Sequence, residues 1–172
     1  SLEKPQVVKQ VRFVATEEKT TKSFTMDLVI EGKGEESVIT NRNGSGNYKD
    51  LNAIVDGDVD SSFISSGALK TGDYFTLNLG KVTNVRNIQF IGDRNFGGDR
   101  IREGKVEYSL DGETWTEIYN GNIADQFRMF DLDFNAKYIR MTATAGTDAW
   151  LRVSDFSVNS PEAEVVFEST VK

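Results

Sequence analysis

Hydrophobic and polar residues alternate along most of the chain beyond residue 72. Phe75, Leu77 and Leu79 fall on one side of a strand, while the residues between them fall on the other. The same period of two recurs in the segments 88–90, 106–108, 127–134, 137–143 and 153–158. No helical pattern appears after Val38. Short strands separated by turns such as Asp111-Gly112 predict an all-β, antiparallel sandwich or barrel.

The alternation also predicts which side chains form the core. These are Phe75, Leu77, Leu79, Ile88, Phe90, Val106, Tyr108, Trp115, Ile139, Met141 and Val153. Trp115 is assigned to the core rather than to a ligand platform because it follows a hairpin turn on a paired strand.

The two ends of the chain differ from this region. Residues 1–37 contain two short β-prone runs that could form a hairpin, although the charged segment between them could carry a helical turn. Residues 160–172 are acidic and begin next to a proline. We therefore expect an N-terminal extension over 1–37, a folded domain over 38–159 and a C-terminal linker over 160–172.

Composition removes several function classes. The 172 residues include no cysteine and no histidine, so the chain lacks a thiol nucleophile and the commonest general base. The formal charge of −7 makes a nucleic-acid partner unexpected, because phosphate binding needs clustered Lys and Arg. No apolar run approaches the length of a membrane span, so we expect no membrane insertion. We expect the protein to be a monomer.

Segment 52–66 contains an unusual concentration of acid. Three aspartates occupy alternate positions, namely Asp56, Asp58 and Asp60. Carboxylates this close repel one another unless water or a hard cation lies among them. The segment is not an EF-hand loop, because Ser61 and Gly67 replace the required Gly and Glu. Two interpretations remain open, a cation-binding loop with further ligands elsewhere and a solvated acidic turn.

Four blocks of sequence, taken in order, resemble the discoidin or F5/8 type C domain. They are NAIVDGDVDSSFIS, GDYFTLNLGKVTNVRNIQF, KVEYSLDGETWTEI and AKYIRMTATAGTDAWLRVSDFSVN. The chain looks most like the bacterial family 32 carbohydrate-binding modules, which are often attached to secreted glycosidases such as β-N-acetylglucosaminidases and hyaluronidase-like toxins. The resemblance implies a jelly-roll sandwich of about eight strands.

The resemblance also implies a structural calcium and assigns its ligands. Side-chain oxygens are expected from Asp56, Ser61 and Asp155, and main-chain carbonyls from Ala53, Asp58 and Ser154. Two distant parts of the chain would then be joined through one ion.

A sugar site is implied at one end of the sandwich. The stacking aromatic of the family falls on Trp150, and its polar ligands fall in the loop Asp93-Arg94-Asn95-Phe96. Galactose-binding members carry an arginine where this chain has Asp93, which disfavours simple galactose. The expected partner is a glycan with terminal GlcNAc or Gal, with a preference for GlcNAc, together with other domains of a parent chain.

Three functions from different classes follow. The first is a non-catalytic module that targets a secreted or cell-surface bacterial glycosidase to host glycans. The second is an adhesion or spacer domain of the discoidin type without sugar binding. The third is a hydrolase using acids at loop ends, namely Asp93, Asp99, Glu103 and Asp148. A small sandwich rarely offers the dry pocket that acid catalysis needs, so we interpret these as surface acids.

Overall fold

The structure is a computed structural model that describes residues 12–14, 25–27, 36–92 and 98–160. The chain divides into two compact units, Ser1–Lys33 with Ser160–Lys172, and Gly34–Asn159. In the first unit, strand β1 (Arg12–Val14) pairs antiparallel with β2 (Thr25–Asp27). The predicted division into an extension over 1–37, a folded domain over 38–159 and a linker over 160–172 stays a prediction.

Ten strands form the described part of the second unit. They are β3 (Ser37–Thr40), β4 (Phe63–Ala68), β5 (Tyr74–Val85), β6 (Ile88–Ile91), β7 (Glu103–Ser109), β8 (Thr116–Asn122), β9 (Gln126–Met129), β10 (Phe134–Ala143), β11 (Trp150–Val153) and β12 (Asp155–Val158). Two short 3-10 helices, Gly46–Tyr48 and Leu51–Ile54, lie between β3 and β4.

The strands form three antiparallel sheets. The largest has the order β3-β5-β10-β7-β8, the second has the order β12-β6-β9, and β11 pairs with β4. Neighbours that are distant in sequence lie side by side, as when Ile139 of β10 faces Leu77 and Tyr108. The predicted all-β, antiparallel sandwich is confirmed.

The core lies between the largest sheet and the two smaller ones. Phe75 of β5 contacts Phe63 of β4 at 5.7 Å and Phe90 of β6 at 6.4 Å between ring centroids. Phe90 contacts Phe156 of β12 edge-to-face at 5.2 Å. Such offset aromatic pairs stabilise a fold by more than the burial of their apolar area alone. The four rings therefore join all three sheets.

Most predicted core residues are buried, but the assignment of Trp115 is wrong. Nine of the predicted residues are buried, and Tyr108 is partly buried against them. Trp115 stacks instead on the guanidinium of Arg140. Arg140 lies between the buried Ile139 and Met141 and therefore points away from the core. Trp115 is the last residue of the turn before β8. In a turn, strand alternation does not determine on which face of the sheet a side chain lies.

The turn between β7 and β8 is held by the carboxylate of Asp111. Its Oδ1 accepts hydrogen bonds from the amides of Glu113 and Thr114, both at 2.8 Å, and from Ser109 Oγ at 2.9 Å. The Thr114 amide and then the Glu113 amide lower the pKa of Asp111 from 3.8 to about 2, because they favour the ionised form.

We expect Asp111→Asn to lower the free energy of unfolding in a pH-dependent way. The pKa in the folded state lies below that of the unfolded state, so the ionised carboxylate stabilises the fold above about pH 4. That contribution is lost as the pH falls through about 2. Urea unfolding between about pH 2 and pH 7 should show a constant difference above about pH 4 and convergence of the two proteins as the pH falls towards 2.

Leu110→Ala is the control for this prediction. Leu110 is exposed in the same turn and carries no titratable group, so its effect should not change with pH. If the difference in the free energy of unfolding between the wild type and Asp111→Asn stays constant across the pH range, the role of the charge is contradicted.

Candidate functional site

The loop that carries Asp56, Asp58 and Asp60, which we call the aspartate loop, brings four oxygen atoms together. Ser61 Oγ lies 3.0 Å from the carbonyl oxygen of Ala53, 2.8 Å from Asp56 Oδ2 and 3.0 Å from the carbonyl oxygen of Asp58. A hydroxyl has one proton and can donate to one of these three acceptors. The other two contacts bring oxygen lone pairs together. Such a group of oxygen atoms suits a hard cation, which binds six to eight oxygen ligands.

Local turns give the loop its shape. Gly57 has a φ of 82°, a left-handed conformation that glycine adopts without steric cost. The amide of Asp58 donates to Asp56 Oδ1 at 2.8 Å, and the amide of Asp60 donates to Asp58 Oδ1 at 2.9 Å. Asp56 thus reaches the cluster through its carboxylate and Asp58 through its carbonyl. Their role as calcium ligands stays a prediction.

The predicted ligands from the last strand lie in a different hydrogen-bonding environment. Asp155 is buried, and its Oδ2 accepts from Gln89 Nε2 at 2.8 Å and from Ser157 Oγ at 2.7 Å. The Ser154 amide donates to the Ile91 carbonyl at 2.8 Å. Across residues 36–92 and 98–160, no three acidic side chains gather closely enough to hold a metal ion. The contribution of Ser154 and Asp155 stays a prediction.

Trp150 is a large aromatic side chain on the surface. It begins β11, pairs with Ala68 of β4 and is 47% exposed. The loop that was predicted to supply the polar ligands, Asp93, Arg94, Asn95 and Phe96, lies outside the described residues. The role of Trp150 and of these four loop residues in sugar binding stays a prediction. The structure does show which residues lie around Trp150.

Sequence reasoning missed two surface residues, namely Arg152 on the side of β11 that carries Trp150, and Tyr48, which contacts Arg152. In β11, Leu151 and Val153 are buried, so Trp150 and Arg152 share the outer side of the strand. The guanidinium of Arg152 lies 5.8 Å from the ring centroid of Tyr48, which is 52% exposed. Strand alternation from Trp150 could have identified Arg152. Tyr48 ends the 3-10 helix Gly46–Tyr48, about a hundred residues earlier, and no sequence pattern connects it to β11.

Further hydrogen bonds hold Arg152 in place. Its Nη1 donates to Ser62 Oγ at 3.2 Å, and its amide donates to the carbonyl of Asp99 at 2.7 Å. The second bond connects β11 to the chain that leads into β7. We call Tyr48, Trp150 and Arg152 the β11 surface.

A buried arginine fixes the strand that pairs with Trp150. Arg42 Nη2 lies 3.0–3.2 Å from the carbonyl oxygens of Ser66, Gly67 and Ala68. Its Nη1 lies 3.3 Å from Asp73 Oδ2, and both side chains are nearly inaccessible, at 10% and 6% exposure. Arg42 therefore holds the end of β4 that pairs with Trp150.

The described acids that were considered for catalysis lie at loop ends. Glu103 and Asp148 are exposed, and Asp99 is partly exposed. In the part of the chain that the structure describes, no helix is long and apolar enough to cross a membrane.

Comparison with known proteins places this geometry in a family. A model of the F5/8 type C domain matches residues 36–156. CpGH89CBM32-5 from Clostridium perfringens, solved with GalNAc-β-1,3-galactose, is 16% identical with a TM-score of 0.62, over 72% of this chain and 94% of that one. CBM32-3 from a family 31 glycoside hydrolase of the same organism is 25% identical with a TM-score of 0.60, over 73% and 91% of the two chains. The family 32 module of NanJ from C. perfringens, solved with galactose, is 16% identical with a TM-score of 0.58, over 72% and 98%.

Proposed function

The chain belongs to the F5/8 type C domain family, and on that premise we propose that it binds a glycan through the β11 surface. It is a non-enzymatic accessory domain, since the family model and the similar structures are those of such modules. The observation that carries the proposal is the exposed ring of Trp150 on the side of β11 that also carries Arg152, whose guanidinium contacts Tyr48.

The chemistry of this surface suits a sugar. A pyranose presents an apolar C–H face that can lie on an aromatic ring, and hydroxyl groups around its rim. Trp150 offers the ring. Arg152 and the tyrosyl hydroxyl of Tyr48 offer hydrogen-bonding groups of the kind that fix a ligand's orientation. Arg42 holds the end of β4 that pairs with Trp150 through its bonds to three carbonyls and to Asp73. A strand held in this way has less entropy to lose on binding.

The glycan that we propose carries terminal GlcNAc or Gal. Related modules were solved with galactose and with GalNAc-β-1,3-galactose, which supports a hexose or N-acetylhexosamine ligand. Asp93 in the place of the arginine of galactose-binding members favours GlcNAc. The module would hold a secreted or cell-surface bacterial glycosidase, as part of a longer chain, at its substrate.

A glycan array probed with the labelled 172-residue chain tests the proposal. We expect signals that cluster on glycans with terminal GlcNAc or Gal. An array without any sugar signal would favour the alternative function, an adhesion or spacer domain.

We also propose that the aspartate loop binds a structural calcium ion. The support is the convergence of oxygens from Ala53, Asp56, Asp58 and Ser61, which exceeds what one hydroxyl proton can satisfy. Asp155 and Ser154 would complete the set. When bound, the ion would join the loop to the rest of the sandwich and stabilise the native state by RT ln(1 + [L]/Kd).

Asp56→Ala should remove the response of the protein to calcium. With calcium at a hundredfold excess over Kd, we expect EDTA to lower the melting temperature of the wild type by about 5–10 °C. The variant should melt at the lower temperature with or without EDTA, because the carboxylate that the loop itself contributes to the site is gone. Differential scanning calorimetry gives both values.

Asp133→Ala is the control, since Asp133 is a largely exposed acid whose side chain pairs with Arg86. It should respond to EDTA as the wild type does. An unchanged wild-type melting temperature in EDTA, together with elemental analysis that finds no calcium, would contradict the proposal.

A further inference from the structure

The outer face of the five-stranded sheet carries an arginine between two aromatic rings. The Cζ atom of Arg140 lies 3.7 Å from the ring centroid of Trp115 and 4.8 Å from that of Tyr74. All three side chains are partly exposed. Tyr74 comes from β5, Arg140 from β10, and Trp115 from the turn before β8. Three segments therefore build this arrangement, which we call the Arg140 stack.

Arg140 keeps most of its hydrogen-bonding capacity. Its Nε donates to Thr76 Oγ1 at 2.9 Å. Within the described part of the chain, no acceptor is hydrogen-bonded to Nη1 or Nη2 of Arg140. The N–H groups of a guanidinium lie in its plane, so rings that Arg140 lies over leave Nη1 and Nη2 able to donate. A planar fork of this kind binds a carboxylate through two parallel hydrogen bonds.

The nearest acidic residue already has a partner. Glu107 of β7 lies directly opposite Arg140 in the sheet register, and Glu117 of β8 lies opposite Glu107. However, Glu107 Oε1 accepts from Lys105 Nζ at 2.6 Å. The lysine offsets the charge of Glu107, and the side-chain amide of Asn120 donates to Glu117 Oε2 at 3.4 Å. Among the described residues neither glutamate is hydrogen-bonded to Arg140, so its Nη1 and Nη2 remain available to an anion from solution.

We propose that the Arg140 stack is a second ligand site, separate from the β11 surface, and that it binds the carboxylate of an acidic sugar. The carboxylate would accept from Nη1 and Nη2 of Arg140. The apolar face of the sugar ring would lie against the edges of Trp115 and Tyr74. Thr142, which lies between Tyr74 and Lys105 in the register, offers a hydroxyl to the sugar. The net charge of −7 provides no long-range attraction, so recognition depends on these local contacts.

The two tryptophans of the chain allow each site to be measured alone. Trp150→Phe leaves Trp115 as the only tryptophan, so its fluorescence reports on the Arg140 stack. The 172-residue variant is titrated at constant ionic strength with sodium glucuronate and, in parallel, with the uncharged methyl ester of glucuronic acid. We expect a saturable change with glucuronate, with a Kd in the millimolar range, and binding at least about tenfold weaker for the ester.

Arg140→Lys in the same background keeps the charge but removes the fork, and should also weaken glucuronate binding at least about tenfold. The melting temperature shows whether this variant folds. The comparison of glucuronate with its ester uses Trp150→Phe alone, so it does not depend on the folding of Arg140→Lys. The proposal would be overturned by no change at about 50 mM glucuronate, by an equal response to the ester, or by unaltered binding in a folded Arg140→Lys variant. Sodium sulfate that binds as well as glucuronate would overturn the sugar assignment. None of these results depends on whether Trp150 binds a glycan.

Discussion

Replacing Arg42 by alanine is expected to lower the free energy of unfolding by about 3–5 kcal/mol. The change would leave the Asp73 carboxylate, 6% exposed, with the Lys70 amide but without its cationic partner. An uncompensated charge in that environment carries a desolvation penalty that water cannot relieve. The carbonyls at the end of β4 would also lose a shared donor. Urea unfolding monitored by circular dichroism measures the difference.

The surface pair of Arg86 and Asp133 provides a matched control. Its atoms lie 3.5 Å apart, close to the distance in the buried pair, but its side chains are 65% and 71% exposed. Arg86→Ala should therefore cost about 0–1 kcal/mol. If Arg42→Ala cost no more than Arg86→Ala, the assignment of Arg42 as the residue that holds β4 would be wrong.

Replacing Trp150 by alanine is expected to weaken glycan binding by about 30-fold or more while the domain remains folded. Exposed aromatic side chains at the centre of a binding surface contribute a large part of the binding energy. Trp150 lies on the side of β11 opposite the buried Leu151 and Val153, so its loss leaves the core intact. Isothermal titration calorimetry with the strongest neutral ligand from the array gives the change in affinity.

Trp115→Ala is the matched control for this experiment. Trp115 is also partly exposed, but it stacks on Arg140 on the outer face of the largest sheet. Its replacement should leave the affinity for a neutral glycan unchanged. Equal losses in the two variants, or unaltered binding in Trp150→Ala, would show that the β11 surface is not the glycan site.

Alternation along strands was sufficient to predict the fold and most of the core. A strand with one buried face must repeat apolar residues with a period of two, as Phe75, Leu77 and Leu79 do. Trp115 departs from the prediction because it lies in a turn, and a cation–π contact with Arg140 gave it a partner on the other side of the sheet. Periodicity carries no information about such a contact.

The candidate sites were predictable only where local sequence or family resemblance determines them. Ser61 and Asp56 lie in one short loop, so their contact follows from the turns between them. The contact between Arg152 and Tyr48 joins residues far apart in sequence, and so does the ion pair of Arg42 with Asp73. These depend on register and loop geometry, which the order of residues does not reveal.

The fluorescence of Trp150, measured as the only tryptophan in the chain, shows whether the β11 surface binds a glycan. Trp115→Phe leaves Trp150 as the only tryptophan in the chain, so every change in emission comes from the β11 surface. The variant is titrated with N,N′-diacetylchitobiose, which ends in GlcNAc, and with lactose, which ends in Gal. The account predicts a saturable change with at least one of them, with a Kd below about 10 mM. Emission that stays constant with both disaccharides would contradict it.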